Sequence, residues 1–187
     1  MKIDKLTALL AALVLAGSAQ AAEFNSIQTE QSSVAFVFKQ MGVPVEGKFK
    51  KFAAQISFDP AKPAAAKAAM DLDLASIDAG SAEANDEAAG KNWFNTKSFP
   101  QAKFVSSAVK AVGGNRYEVA GKLTIKGRTQ EVSAPFSFTP QGGAGLIEGG
   151  FVLKRADFAL GEGVWADFGT VANEVQIKFR FLASTKK

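Results

Sequence analysis

Apolar and polar residues alternate along most of this chain, and this period of two residues limits the fold more than any other feature. In the last segment, apolar side chains stand at Val175, Ile177 and Phe179, with polar residues between them. Alternation puts one face of a strand against a core and the other against water. The alternating segments lie near residues 34–38, 54–58, 70–74, 102–112, 117–125, 132–138, 146–156 and 175–181. Because glycine-rich turns separate several of them, we predict an all-β fold, an antiparallel barrel of about eight strands.

One stretch, residues 77–104, breaks this alternation. It begins with a turn at residues 78–80, continues as a charged, helix-like segment over residues 81–91, and ends with aromatic residues. The charged part predicts one short helix within residues 81–91. A single amphipathic insertion in an otherwise all-β chain is suited to a flap over the mouth of a barrel. The interior of the barrel is therefore the predicted place of function.

The first 21 residues have the pattern of a cleaved signal peptide. Two lysines precede a short apolar run, and Ala19-Gln20-Ala21 forms an A-x-A cleavage site. The apolar run is shorter than the roughly 20 residues that a membrane-spanning helix needs. We predict a signal peptide over residues 1–21, one domain over residues 22–187, and a periplasmic location. The chain has no cysteine, so the exported domain depends on packing and not on disulfides.

The composition argues against several kinds of chemistry. The chain has no histidine and no cysteine, so it lacks the commonest general base, the thiolate nucleophile and the usual zinc ligands. The alternating oxygen ligands of a calcium loop are also missing. The net charge of +4 is spread along the sequence, without a cluster of basic and aromatic residues. We therefore predict no enzymatic activity, no required cofactor, no bound metal and no nucleic-acid partner.

Phenylalanine dominates the apolar faces, with 16 copies against one tyrosine and two tryptophans. Its ring adds a large apolar area without a polar atom. These rings either fill a solid core or line a channel for a long hydrocarbon, since a barrel of about eight strands can hold one small ligand. For a ligand we predict a wall at Phe36, Phe38, Phe49, Phe52, Ile56, Leu74, Phe104 and Ile125. We predict a lid at Ile77, Trp93, Phe94 and Phe99.

Several polar and aromatic positions are open to more than one interpretation. Trp93 and Phe94 either gate the channel or only pin the flap to the rim of the barrel. Arg155 lies two residues before an aspartate, so on a regular strand the two share a face and form either a structural ion pair or a head-group contact. Glu87 and Lys91 are four residues apart on the predicted helix, which predicts a surface ion pair.

Five short motifs follow one another along the chain. They are Val45/Gly47/Phe49/Phe52, residues 76–80 (SIDAG), Trp93-Phe94 with Ser98-Phe99-Pro100 and Lys103-Phe104, residues 121–129 (GKLTIKGRT), and residues 155–158 (RADF). In this order they resemble the motifs of the YceI-like family of lipocalin-like, polyisoprenoid-binding proteins, over nearly all of the predicted domain. Two positions depart from the family pattern. The flap lacks the histidine that many members carry, so a head-group role of that histidine does not carry over, and Ala159 replaces a glycine.

The resemblance implies a lipocalin-like barrel whose apolar channel holds an isoprenoid chain, such as a quinone or a polyprenyl phosphate. It also implies a membrane b-type cytochrome as a protein partner. The leading hypothesis is a periplasmic binding or carrier protein for an isoprenoid lipid or another long single-chain amphiphile. The alternative is a periplasmic protein-interaction or stress-response module without a lipid ligand. A close-packed interior would favour this alternative, and a long apolar tunnel would count against it.

Overall fold

The structure is a computed structural model that describes residues 23–185. The predicted signal peptide and its cleavage site lie outside these residues, as do the last two lysines. Within the described residues the chain forms eleven strands of one sheet and one α-helix. The neighbouring strands pair antiparallel throughout. The sheet curls into a half-barrel, so the predicted all-β antiparallel fold is confirmed.

The long strands form the main wall of this half-barrel. The strands are β1 (Ser26–Ile27), β2 (Ser33–Gln40), β3 (Val43–Phe49), β4 (Phe52–Ser57), β5 (Lys67–Asp73), β6 (Ile77–Asp78), β7 (Gln101–Gly113), β8 (Arg116–Ile125), β9 (Arg128–Gln141), β10 (Ala144–Lys154) and β11 (Glu174–Ser184). Their order across the sheet is β4-β5-β7-β8-β9-β10-β11-β2-β3-β6, and β1 pairs with β11 outside this order. Consecutive strands from β7 to β11 are therefore also neighbours in space, as the turns between them predict.

Three of the eleven strands, β1, β3 and β6, are absent from the predicted set, and the longest of them is β3. Pro44 and Gly47 weaken its strand signal, because proline offers no N–H to a ladder and glycine has no side chain to pack. Pro44 is tolerated because this strand lies near the edge of the sheet. Among the described residues its outer side is paired only by β6, at Lys48 and Phe49. Pro44 therefore lies where the absence of a backbone N–H donor destabilises the sheet only slightly.

The two edges of the sheet meet at the corner between β3 and β4, which Lys50 and Lys51 connect. The buried Ser76 holds this corner: its carbonyl accepts the Lys50 N–H at 3.1 Å, and its hydroxyl accepts the Lys51 N–H at 3.0 Å. At the other end of the half-barrel, Phe24 forms a β-bridge with Phe58. Since β1 pairs with β11, the N-terminal segment connects the end of β4 with β11.

The flap leaves the sheet after β5 and returns at β7. Leu74 does not continue its strand as the alternation predicts, because residues 74–76 form a 3-10 turn in which the Asp73 carboxylate accepts the Ala75 N–H at 3.0 Å. After β6 comes α1 (Ala82–Ala89), which lies inside the predicted helical window and confirms it. The Ser81 hydroxyl caps this helix by accepting the Ala84 N–H at 3.1 Å.

Buried apolar side chains form two clusters, one at each end of the half-barrel. The cluster at the flap includes Phe49, Leu74 and Phe158. The cluster at the opposite end includes Phe58 and Tyr117, whose rings meet edge to face with centroids 5.1 Å apart. The sheet thus has a packed region at each end, and the interior space lies between and beside them.

Candidate ligand-binding site

An apolar cavity of about 690 Å³ occupies the interior of the half-barrel. Residues of both core clusters border it, so it extends from the flap to the neighbourhood of Phe58. The volume is within the range of small-molecule sites, about 300–1,000 Å³. Aliphatic and aromatic side chains form most of its wall, including Val109, Phe136 and Ile147 at the end far from the flap. The interior is therefore hollow and not close-packed throughout.

Pairs of phenylalanine and glycine help to keep the interior open. The Phe36 ring crosses Gly47 on the neighbouring strand, and the Phe104 ring crosses Gly121 in the same way. A Cβ atom at either glycine would overlap the ring. Because the glycine has no side chain, the ring lies along the wall where it would otherwise project toward the barrel axis. The glycine-phenylalanine signature of the sequence thus has a structural reason.

The predicted wall and lid residues are mostly found at this cavity. Those that border it are Phe36, Phe38, Phe49, Ile56, Leu74, Ile77, Trp93, Phe94, Phe104 and Ile125. Phe52 and Phe99 are not among its lining residues. The Phe52 ring packs against Phe181 with centroids 5.7 Å apart, and the Phe99 ring lies against Gly127 in the β8–β9 turn. Contact of any of these residues with a ligand remains a prediction.

The cavity also has lining residues outside the predicted wall and lid. Ile177 and Phe179 of β11 belong to the alternating face of the last predicted strand, and both border the cavity. Arg155, Trp165 and Val171 come from residues 155–173, the irregular connection between β10 and β11. No periodicity marks this connection, so its place beside the cavity could not be read from a pattern.

Polar residues mark the mouth of the cavity, beside the flap. Gln40 at the end of β2 and Glu83 and Glu87 on α1 border the cavity and are exposed to solvent. The Trp165 indole Nε1–H donates a hydrogen bond to the Glu87 carboxylate, which joins the 155–173 connection to the helix across the mouth. Glu87 therefore does not form the predicted ion pair with Lys91. The helix ends at Ala89, so Lys91 lies beyond the helical turn that the pair requires.

Arg155 organises the connection that closes this end of the half-barrel. Its side chain is 1% exposed, and all five guanidinium N–H groups have backbone carbonyl acceptors. The acceptors are the carbonyl oxygens of Leu160, Gly161, Trp165, Val171 and Ala172, at 2.8–3.3 Å. The guanidinium lies 5.4 Å from the centre of the Trp93 ring and 5.0 Å from that of Phe168. One side chain thus fixes the path of residues 160–172.

The predicted ion pair between Arg155 and Asp157 is wrong. Strand β10 ends at Lys154, and residues 155–158 form a 3-10 turn, so the two side chains do not share a strand face. Asp157 is exposed while Arg155 is buried. Burial lowers the pKa of Arg155, and the charge of Asp167 opposes this shift. An arginine remains protonated under such conditions, so the connection is built around a buried cation.

Ala159 has a backbone conformation that suits glycine better than alanine. Its backbone is left-handed, with φ +54° and ψ +40°, a conformation that costs an L-residue roughly 1–2 kcal/mol. Its carbonyl accepts a hydrogen bond from the Lys126 ammonium at 2.8 Å, and the same ammonium contacts the Glu162 carboxylate at 2.8 Å. Lys126 therefore connects the β8–β9 turn to the connection that Arg155 organises. This ion pair holds the pKa of Glu162 below its ordinary value.

Two features are absent from residues 23–185. None of the helices formed by these residues is both long and apolar enough to cross a membrane. Nor do the described residues bring together three acidic, histidine or cysteine side chains in a group that could hold a metal ion.

Comparison with solved structures identifies proteins of the same shape. The crystal structure of BcnA from Burkholderia cenocepacia shares 48% identity with this chain and superposes with a TM-score of 0.83, over 85% of this chain and 100% of BcnA. A polyisoprenoid binding domain from Saccharophagus degradans superposes with a TM-score of 0.69 at 16% identity, over 88% of this chain and 99% of that domain. The second similarity shows the fold alone.

Comparison of sequences identifies the family. A UPF0312 protein of Azotobacter vinelandii is 34% identical over 179 residues, which cover 91% of each protein. The YceI-like domain matches residues 26–183, nearly the whole of the part that forms the half-barrel. On these grounds, and with the order of motifs found in the sequence, this chain belongs to the YceI-like family.

Proposed function

We propose that this protein binds one isoprenoid lipid in its apolar cavity. The observation that carries the proposal is the hollow interior of about 690 Å³, lined mainly by apolar side chains. Apolar cavities exclude water and accept apolar ligands, and removing a hydrocarbon chain from water drives its binding. The Saccharophagus degradans domain with the same fold is described as polyisoprenoid binding, which supports the choice of lipid. Because the polar residues named above lie at the mouth and the rest of the wall is mainly apolar, we propose binding and not catalysis.

The cavity volume limits the chain that fits inside. If each heavy atom takes the ~30 Å³ that a water molecule occupies in the liquid, 690 Å³ accommodates about 23 heavy atoms, or about four to five isoprene units. At about 0.3 kcal/mol per heavy atom, such a chain contributes about 7 kcal/mol of binding free energy, which corresponds to a Kd of about 10 µM. A longer chain would leave its remaining carbons outside the half-barrel.

We expect the affinity for isoprenyl alcohols to increase with chain length up to about four or five isoprene units and then to level off. Additional units outside the cavity remain in water and add little free energy. The measurement is displacement of a fluorescent apolar probe by a series of alcohols, with native mass spectrometry to establish one lipid per protein. A flat response across the series would contradict a cavity of this size. Failure of every alcohol to bind would favour the protein-interaction alternative.

Exposed apolar side chains around the mouth support a carrier role, in which the protein exchanges its ligand with a bilayer. They are Met41, Val43, Val164 and Phe168, which are 78%, 63%, 82% and 50% exposed. Met41 follows Gln40 at the mouth, and its N–H donates to the Thr170 carbonyl at 2.9 Å. Val164 directly precedes Trp165. Full burial of each such side chain contributes about 1.5–3 kcal/mol, so four of them suit reversible docking on a lipid surface.

Replacing two of these side chains, as Met41→Asp with Val164→Asp, should slow lipid uptake from phosphatidylcholine vesicles by about tenfold or more, since each carboxylate must be desolvated at the interface. The affinity for a soluble probe should stay unchanged, because neither side chain borders the cavity. The matched control is Val112→Asp with Val152→Asp, two valines on β7 and β10 that are 57% and 59% exposed. Equal uptake by both double variants would contradict docking through the mouth.

Three finer points remain proposals that rest on the family resemblance. They are export to the periplasm, a quinone as the bound lipid, and a membrane b-type cytochrome as a partner. Lipid analysis of protein extracted from its own periplasm, together with identification of the proteins that copurify, tests all three. A preparation that contains no lipid but copurifies with a specific protein would support the interaction module.

A further inference from the structure

Two layers of apolar side chains close the cavity at the end far from the flap. The first layer, the floor of the cavity, borders the open space, and its side chains are at most 8% exposed; they are Phe58, Val109, Phe136 and Ile147. The second layer is buried, packs against the floor and does not border the cavity; it consists of Phe24, Tyr117 and Phe138. A chain that enters from the mouth therefore stops at the floor.

Three aromatic rings surround the Phe58 ring and hold it in place. Its centre lies 5.1 Å from that of Tyr117, 5.8 Å from that of Phe136 and 5.2 Å from that of Phe138, and all three meet it edge to face. The Phe58 backbone is fixed as well, since its N–H donates to the Phe24 carbonyl at 3.0 Å and its carbonyl accepts the Phe24 N–H at 2.9 Å. Because close-packed interiors yield little, this ring is a rigid stop for a bound chain.

The side chains of the floor offer no hydrogen bond to a ligand. A polar head group placed against them would lose its water without gaining a partner. Two lysines also border the cavity, but both belong to the outer face of the sheet. Lys67 is exposed and lies an odd number of residues from the buried Leu72, so the alternation of β5 puts it outside. The Lys103 ammonium contacts the Asp71 carboxylate on that same face at 2.7 Å. The apolar end of a lipid is therefore the end that fits against the floor.

We propose that Phe58 determines the length of the isoprenoid chain that the cavity encloses, with the last isoprene unit resting against its ring. This inference rests on the proposed function, and it adds the residue that limits the chain and the direction in which the chain lies. The head of the lipid lies toward the mouth and its apolar end at the floor. The phenyl ring has about as many heavy atoms as one isoprene unit, so Phe58→Ala deepens the cavity by about one unit. A larger side chain at the floor has the opposite effect.

The test compares the chain length at which the affinity levels off in four proteins. The ligands are isoprenyl alcohols of about two to about eight units, and displacement of a fluorescent apolar probe measures their affinity. The proteins are the unaltered one, Phe58→Ala to deepen the cavity, Val109→Phe to make it shallower, and Phe158→Ala as the matched control. Phe158 and Phe58 are both buried, at 2% and 4% exposed, but Phe158 belongs to the cluster at the flap and does not border the cavity.

We expect the affinity of Phe58→Ala to level off about one unit later than that of the unaltered protein, with a gain of about tenfold for the added unit, and that of Val109→Phe about one unit earlier. Phe158→Ala should level off where the unaltered protein does. Val109→Phe decides the question if Phe58→Ala does not fold, because its larger side chain enters existing space. The same level-off in all the folded proteins, or a shift in Phe158→Ala as large as that in Phe58→Ala, would overturn the role of Phe58. Failure of every alcohol to bind the unaltered protein would instead overturn the proposed function itself.

Discussion

Phe104→Asp should abolish lipid binding. Phe104 points inward from β7, borders the cavity and lies across Gly121, so a carboxylate at this position would face the bound chain. The chain would remove water from the charge without giving it a partner, which costs several kcal/mol. We expect the affinity for a chain of four isoprene units to fall at least about a hundredfold. Probe displacement and native mass spectrometry with the same lipid measure the effect.

The adjacent residue provides a matched control for this change. Val105 is the next residue of β7, lies on the opposite face and is 57% exposed. Val105→Asp therefore adds the same charge to the same strand but outside the barrel, and its affinity should equal that of the unaltered protein. Far-UV circular dichroism shows whether both variants remain β-rich. A folded Phe104→Asp protein that still carries one lipid would place the site elsewhere.

The strands could be predicted because the alternation that defines them is visible within a few consecutive residues. Alternation over residues 117–125 or 175–181 requires one face inside and one outside, and the structure places β8 and β11 there. The strand β3 escaped prediction because Pro44 is explained only by the position of this strand near the edge of the sheet, and Gly47 by the Phe36 ring that crosses it. Edge position is a property of the assembled sheet, and no window of residues around Pro44 contains it.

The same alternation predicts which residues face the interior, but it does not predict that the interior is hollow. Inward-facing phenylalanines predict either a solid core or a channel. What separates the two is the pairing of Phe36 with Gly47 and of Phe179 with Gly149, each phenylalanine lying opposite its glycine on the adjacent strand. Once the register is known, each pair indicates a ring that lies along the wall. If the register of the strands had been predicted, these phenylalanine-glycine pairs could have been identified from the sequence.

The mouth was the least predictable part of the site. Residues 155–173 carry no period, and the two-residue spacing of Arg155 and Asp157 suggested a strand where the structure has a 3-10 turn. Ala159 takes a left-handed conformation, which a glycine would have indicated in the sequence and an alanine does not. The acceptors of Arg155 are carbonyl groups, which any sequence provides, so side-chain identity could not reveal them.

These observations divide the site into two parts with different physical origins. The wall depends on many interchangeable apolar contacts, and changing one of them without adding charge should have a modest effect. The mouth depends on few groups, because Arg155 alone satisfies the carbonyls of five residues. A buried cation surrounded by backbone acceptors cannot be replaced by another side chain. Even lysine has three donors on a point charge where arginine has five in a planar fork.

Arg155→Met should therefore destabilise the protein by about 3–5 kcal/mol, because several buried carbonyl groups lose their donor at about 1–3 kcal/mol each. Methionine retains much of the aliphatic packing, but the carbonyls of residues 160–172 lose their donors in the interior. Urea unfolding of the lipid-free protein measures the loss, and hydrogen exchange should locate it in this connection. The control is Lys154→Met, the same change at the exposed preceding residue, which should alter stability by less than about 0.5 kcal/mol. Equal stability of the two variants would show that the connection holds its path without Arg155.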